Sequence, residues 1–215
     1  MNIKYLLRFI TTSIGRKMLM ALTGLMLIGF IFFHLVMNVL LFKGSGVYNG
    51  AVGLITTPVT PIMEMGLFAI FIWHIFMGTW VRIEDWLNRP TGIERNWHGG
   101  RTIGSATMLY TAIILLAFFA YHVMVFRFGD HSRGMYEMVS SAFKNSFYVA
   151  IYIAGAIALV LHLSHGFQSA FQTLGINHPK YTPFIKTAGW LTAAIMILFA
   201  LLPVYFLLGF DIAKL

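Results

Sequence analysis

Five histidines lie inside apolar stretches of this 215-residue chain: His34, His74, His122, His162 and His165. An ionisable ring in hydrocarbon is costly unless it has a buried partner, lines a water-filled path or binds a metal. For one ring, a hydrogen bond to a neighbouring helix carbonyl is explanation enough; for four consecutive stretches it is a poor one. The chemistry that paired imidazoles offer is axial ligation of a b-type haem, one ring from each of two facing helices. The chain contains no cysteine, which excludes disulfides, cysteine-ligated iron–sulfur clusters and covalent C-x-x-C-H haem within it. A structural zinc site would need ligands converging at one depth. A proton relay would use intramembrane carboxylates beside the histidines, and only Glu64 is a candidate.

The elements that position these rings follow from composition. Hydrophobic residues make up 59% of the chain and charged ones 10%, with a mean hydropathy of +0.79. That excludes a soluble domain and leaves no room for a separate soluble catalytic one. Only helices or closed barrels satisfy their backbone in lipid. Five spans are predicted, near 18–42, 62–86, 103–126, 147–172 and 187–210, in a single all-α transmembrane domain over 1–215. Residues 1–17, with Lys4, Arg8, Arg16 and Lys17 around an apolar set, are predicted to form an interfacial helix that stays in the mature protein. The loop 43–61 is rich in Gly, Thr and Pro and is expected to be irregular or briefly helical.

The net charge of +8 and pI near 9.9 come from residues beside the spans. They point to membrane orientation and anionic head groups, not to nucleic acid. With the N-terminus inside, ten Lys and Arg fall on the cytoplasmic side and five on the other, which favours N-in, C-out.

Depth then pairs the histidines. His34 follows Lys17 by 17 residues and His122 follows Arg101 by 21, roughly 26 and 32 Å along outward-running helices. His74 precedes Arg82 by 8 residues, about 12 Å from the inner surface, and His162 sits in the inner half of its span. The expected pairs are His34 with His122 on the outer side and His74 with His162 on the inner. Two stacked haems imply electron transfer between the membrane faces. Gly24, Gly29, Gly78 and Gly166 flank these positions, either for close helix packing or as room for a porphyrin face.

At these residues the chain resembles the dihaem cytochrome b membrane anchor of succinate dehydrogenases and quinol:fumarate reductases. The motifs are His34-Leu-Val-Met-Asn38, His74-Ile-Phe-Met-Gly78, His122-Val-Met-Val-Phe-Arg127 and His162-Leu-Ser-His-Gly166. The resemblance implies that His34 and His122 bind the distal haem b, and His74 and His162 the proximal one. It selects His162 over His165 because the family pattern resembles H-x-S-x-G, fitted by His162, Ser164 and Gly166. His165 then either donates to a propionate or simply packs. The same resemblance implies a flavoprotein partner carrying FAD, an iron–sulfur partner, both docked on the cytoplasmic side, and menaquinone as the membrane substrate. It implies a multi-pass protein of the cytoplasmic (inner) membrane with no dicarboxylate chemistry of its own. Two other classes stay open: a haem-free channel or transporter, and the cytochrome b anchor of another respiratory oxidoreductase.

Quinone chemistry needs hydrogen-bond partners and a route for protons. Glu64, at the start of the second span, is the expected proton acceptor on the outer side, partly desolvated, with its pKa raised by burial. Tyr48 and Asn49 would help shape that pocket. On the inner side Ser13, Arg16, Lys17, Arg82, Arg95, His98 and Arg101 are candidates for propionate or quinone contacts, with His131 and Arg133 as outer equivalents.

Overall fold

The computed structural model describes residues 3–88 and 103–210, all helices and connections with no strand among them. The N-terminal helix α1 (Ile3–Thr11) is shorter than predicted, because the first span α2 (Ser13–Val39) begins five residues before Met18. Thr12 sets that boundary: in extended conformation, its Oγ1 accepts the Gly15 amide at 3.0 Å, the usual device for satisfying a free donor at a helix start. A Cβ on Gly15 would stand 1.9 Å from the Phe9 carbonyl oxygen, so the tight elbow between α1 and α2 needs glycine there.

A 3-10 turn (Leu40–Lys43) and α3 (Ser45–Ile55) lead to the second span, α4 (Thr60–Leu87), with Pro61 in its first turn. The third span α5 (Ile103–Phe126) agrees with its predicted bounds. A short α6 (Met135–Ala142) precedes the fourth span α7 (Ser146–Thr173). The fifth span is two helices, α8 (Thr182–Ile195) and α9 (Leu198–Leu207). Pro203 gives a reason for the break. It cannot donate to the Phe199 carbonyl and its ring crowds that group. The preceding turns tighten, with Ile197, Phe199 and Ala200 amides donating to Ala194, Met196 and Ile197 three residues back. Five segments among the described residues are long and apolar enough to cross a membrane.

Packing among the spans is uneven. The main contacts of α4 are with α2, and those of α5 are with α7; α2 and α7 also meet, and α8 and α9 lie along α7, with α9 reaching α2. One core cluster joins Ile28 and Leu35 of α2 to Leu163 of α7 and Ala193 and Met196 of the fifth span. A larger one gathers Leu41, Tyr48, Phe126, Val139, Phe143, Val149, Tyr152, Leu202 and Phe206 at the end where α3, α6 and α9 converge. Between α4 and α5 the contacts are sparse: the Phe71 and Phe119 rings stack at 3.8 Å, and Glu64 pairs with Arg127.

The α5–α7 contact depends on a small residue. A Cβ on Gly155 would stand 2.6 Å from the Phe118 ring, so Gly155→Ala should destabilise the chain by about 1–3 kcal/mol through overpacking. Gly66→Ala, where nothing lies within 4 Å of the added carbon, should leave the midpoint unchanged or slightly raised. Thermal unfolding of both variants in the same detergent makes the comparison, and equal midpoints would refute it.

Candidate functional site

Two pairs of histidines are brought together along the bundle. In the first, the His34 ring of α2 and the His122 ring of α5 approach edge to face, with centroids 5.7 Å apart. Aromatic rings wall them in: Phe30 stacks on His34 at 5.6 Å, Phe199 of α9 lies at 5.8 Å, and Phe118 lies 5.8 Å from His122. His122 Nδ1 is 3.0 Å from the hydroxyl of buried Tyr152 on α7.

The second pair is His74 of α4 and His162 of α7, near enough that His74 bears electrostatically on His162. Each is held through Nδ1 by a buried threonine of the adjoining helix. His74 Nδ1 lies 3.2 Å from Thr23 Oγ1 and 3.1 Å from the Met20 carbonyl oxygen. His162 Nδ1 lies 3.3 Å from Thr111 Oγ1. Thr23 and His34 are 11 residues apart on α2, as are Thr111 and His122 on α5. The two pairs are therefore offset by roughly 16 Å along the helices.

A common register underlies this. Thr23, Phe30, His34, His74 and Gly78 recur 88 positions later as Thr111, Phe118, His122, His162 and Gly166. Besides His74 and His162, contacts among the described residues join a residue to its own equivalent at His34 and His122, at Tyr48 and Tyr136 with rings 6.4 Å apart, and at Asn49 and Glu137, whose carboxylate accepts from the amide at 3.3 Å. Such self-pairing is the signature of a two-fold relation, here between α2–α3–α4 and α5–α6–α7. Thr23, Thr111 and Tyr152 were not singled out from the sequence. The spacing of 88 was the available signal for the two threonines; Tyr152 had none.

The flanking glycines divide. A Cβ on Gly24 would touch His74 Cε1 at 3.0 Å, so that glycine lets α2 press against the ring. Gly78 and Gly166 are met by Met20 and Met108, each at 3.7 Å, while nothing lies within 4 Å of Gly29.

The charged candidates are placed as follows. Glu64 is 44% exposed in its side chain, so the chain's own packing does not bury it as expected. Its Oε2 instead accepts Arg127 Nε and a terminal nitrogen at 3.1 and 3.0 Å. Tyr48 and Asn49 join α3 to α6: the Tyr48 and Tyr136 rings meet, and Asn49 Oδ1 accepts the Tyr136 amide at 3.0 Å. Burial pushes the Tyr48 phenol above its ordinary value, keeping it neutral. His131 Nε2 is 3.0 Å from the Phe126 carbonyl at the end of α5, and exposed Arg133 borders a shallow cavity with Asp130 and Glu137. The Asp130 carboxyl is held below its usual range because it accepts the Ser132 amide.

At the opposite end Arg16 is buried. Its guanidinium pairs with Glu84 of α4, donates to the Thr11 carbonyl and lies 5.4 Å over Trp80, while Nε has no hydrogen-bond partner. Lys17 reaches Asp85 at 3.8 Å. Both cations thus tie α2 to α4. Ser13 opens α2, Arg82 is exposed, and half-buried His165 sits where α5 meets α7 beside Gly104. Arg95, His98 and Arg101 lie outside the described residues.

No group of three or more His, Asp or Glu side chains among the described residues could hold a metal ion. That speaks to protein-only sites; an axially ligated macrocycle takes one pair.

A multi-pass helical membrane protein with its histidines paired between spans is the class that fold and site define. Residues 16–97 match the family model of the succinate dehydrogenase/fumarate reductase transmembrane subunit, which supports the family that the four motifs resemble. The matched stretch carries His34 and His74, the histidines of the first half. No curated protein and no solved structure matches the chain significantly.

The Arg16–Glu84 pair carries its own test. Glu84→Gln leaves a buried guanidinium without its counter-charge. The expected loss is about 2 kcal/mol, below the ~3–5 kcal/mol of a fully buried pair because Glu84 is partly exposed. Arg16→Met combined with Glu84→Met should recover much of that loss in a detergent unfolding curve. A double variant as unstable as the sum of the singles would contradict the pairing.

Proposed function

We propose that this chain is the dihaem cytochrome b anchor of a succinate:quinone oxidoreductase, passing electrons between membrane menaquinone and an iron–sulfur subunit. The observation that carries the proposal is the matched pair His34–His122, joined by a second pair, His74–His162, with the same spacing of 88 residues between partners. An imidazole nitrogen binds a first-row metal at about 2 Å, so rings on opposite sides of one iron have centres roughly 6 Å apart. The 5.7 Å separation of His34 and His122 fits that requirement. His34 and His122 would hold the distal haem, and His74 and His162 the proximal one. Haem supplies reversible one-electron chemistry, tuned by its axial ligands and their surroundings.

The chain's own residues then do three things. Phe30, Phe118 and Phe199 keep water from the distal rings. Arg127 fixes Glu64 through Oε2 near the start of α4, and Glu64 Oε1 takes one of the two protons released as a quinol is oxidised. The Arg16 end faces the cytoplasm, where the iron–sulfur and FAD-bearing flavoprotein subunits dock. The positive-inside bias favours that orientation, and the membrane is the cell's cytoplasmic (inner) one.

Reduced-minus-oxidised spectra of the full chain, expressed with adequate haem, provide the test. Two b-type components are expected. His34→Ala or His122→Ala should remove one, and His74→Ala or His162→Ala the other. Absence of b-type absorption would favour a haem-free channel or transporter. Haem present in a complex lacking an FAD subunit would favour the anchor of another oxidoreductase.

Glu64→Gln should leave both spectra intact while slowing quinol-driven haem reduction by about 10²-fold or more, the usual scale for a lost acid–base group. Stopped-flow reduction with a menaquinol analogue measures it, and an unchanged rate removes Glu64 from the quinol reaction.

A further inference from the structure

We propose that Thr23 and Thr111 are symmetry-related positioning residues that fix the Nδ1–H tautomer of His74 and His162 and thereby set the potential of the proximal redox centre. The assignment rests on the dihaem reading above and deepens it.

Hydrogen-bond direction carries the argument. His74 Nδ1 lies 3.1 Å from the Met20 carbonyl oxygen, and a carbonyl can only accept, so Nδ1 bears the proton. Thr23 shares that proton at 3.2 Å. Its own hydroxyl proton is taken by carbonyls of α2, with Leu19 O at 2.8 Å and Met20 O at 3.1 Å. Thr111 repeats this. Its hydroxyl has the Thr107 and Met108 carbonyls at 3.1 and 3.0 Å, both nearer than His162 Nδ1 at 3.3 Å. The oxygen lone pair therefore faces His162, and Nδ1–H donates to it. Both rings are left with an unprotonated Nε2, the nitrogen available to a metal.

Local helix chemistry does not account for this pairing. A threonine within a helix commonly bonds back to its own carbonyls, and back-bonding alone would leave the histidine free. Here both threonines also meet a histidine 51 residues further on, at equivalent positions of the two halves. The distal pair lacks the device: position 152, the equivalent of Glu64, supplies a tyrosine to His122 instead.

A hydrogen bond from Nδ1–H makes an imidazole a stronger donor to its metal, which favours the oxidised iron. Removing the acceptor should raise the proximal midpoint potential. Redox titration of the full chain, with the two components identified by the histidine variants above, reads the effect. Thr111→Val should raise the proximal midpoint and leave the distal one in place. Thr23→Val should do so less, since the Met20 carbonyl remains, and Thr111→Ser should restore the original value. If Thr111→Val does not assemble, Thr111→Cys, with only a weak acceptor sulfur, reads the same shift. Full occupancy of both haems with unmoved midpoints overturns the positioning role while the dihaem reading stands. A parent chain without two b-type components overturns that reading and this assignment with it.

Discussion

A polar ring in hydrocarbon must find its hydrogen-bond partners within protein, and that requirement organises this bundle. Three of the four paired histidines meet it across a helix–helix boundary: His74 on α2, His162 on α5 and His122 on α7. Each bond ties two spans at a defined depth, since a threonine or tyrosine must stand level with the ring it holds. Apolar packing alone would not fix depth so closely, because lipid tails compete equally for any Leu or Phe surface. The polar contacts set the register that the surrounding small and aromatic residues then fill.

The repeat at 88 residues gives the register its economy, and the fifth span limits its symmetry. In α2–α4 and α5–α7 the same contacts recur, down to the methionine lying over the glycine that follows His74 and His162 by one turn. Yet α2 packs on α7 while the corresponding α4–α5 seam is thinly joined. The difference lies where α8 and α9 pack: along α7, with Phe199 laid against His34 and Met196 sealed against the α2–α7 core. No sixth span among the described residues repeats this on the other side. The α4–α5 seam is held instead by one ring stack and, at its end, by Glu64 and Arg127.

Most of the architecture was legible because hydropathy and length are local properties. The five spans, their order and the pairing of His34 with His122 need only helix rise and the positions of charges. What was not legible depended on partners far along the chain. Arg16 and Lys17 looked like interfacial cations because Glu84 and Asp85, which bring them onto a continuous α2, lie almost seventy residues away. Glu64 looked unpaired because Arg127, 63 residues away, could not be placed beside it. Pro203 was visible, but its consequence, a tightened turn several residues earlier, depends on how the fifth span lies along α7.

The inequality of the two sites follows from how the repeat has diverged. At the proximal level both imidazoles meet the same group, a threonine hydroxyl already committed to its own helix. At the distal level the equivalents have separated: Tyr152 turns to His122, and Glu64 turns to Arg127. A symmetric pair of rings with symmetric supports would share one environment. Divergence at one position is enough to make the surroundings of His34 and His122 unequal, and it does so at the end of the bundle where Glu64 is exposed. The change that differentiates the His34–His122 pair thus also leaves an exposed carboxylate at that end of the bundle, and on the proposed function that is where a quinol would meet it.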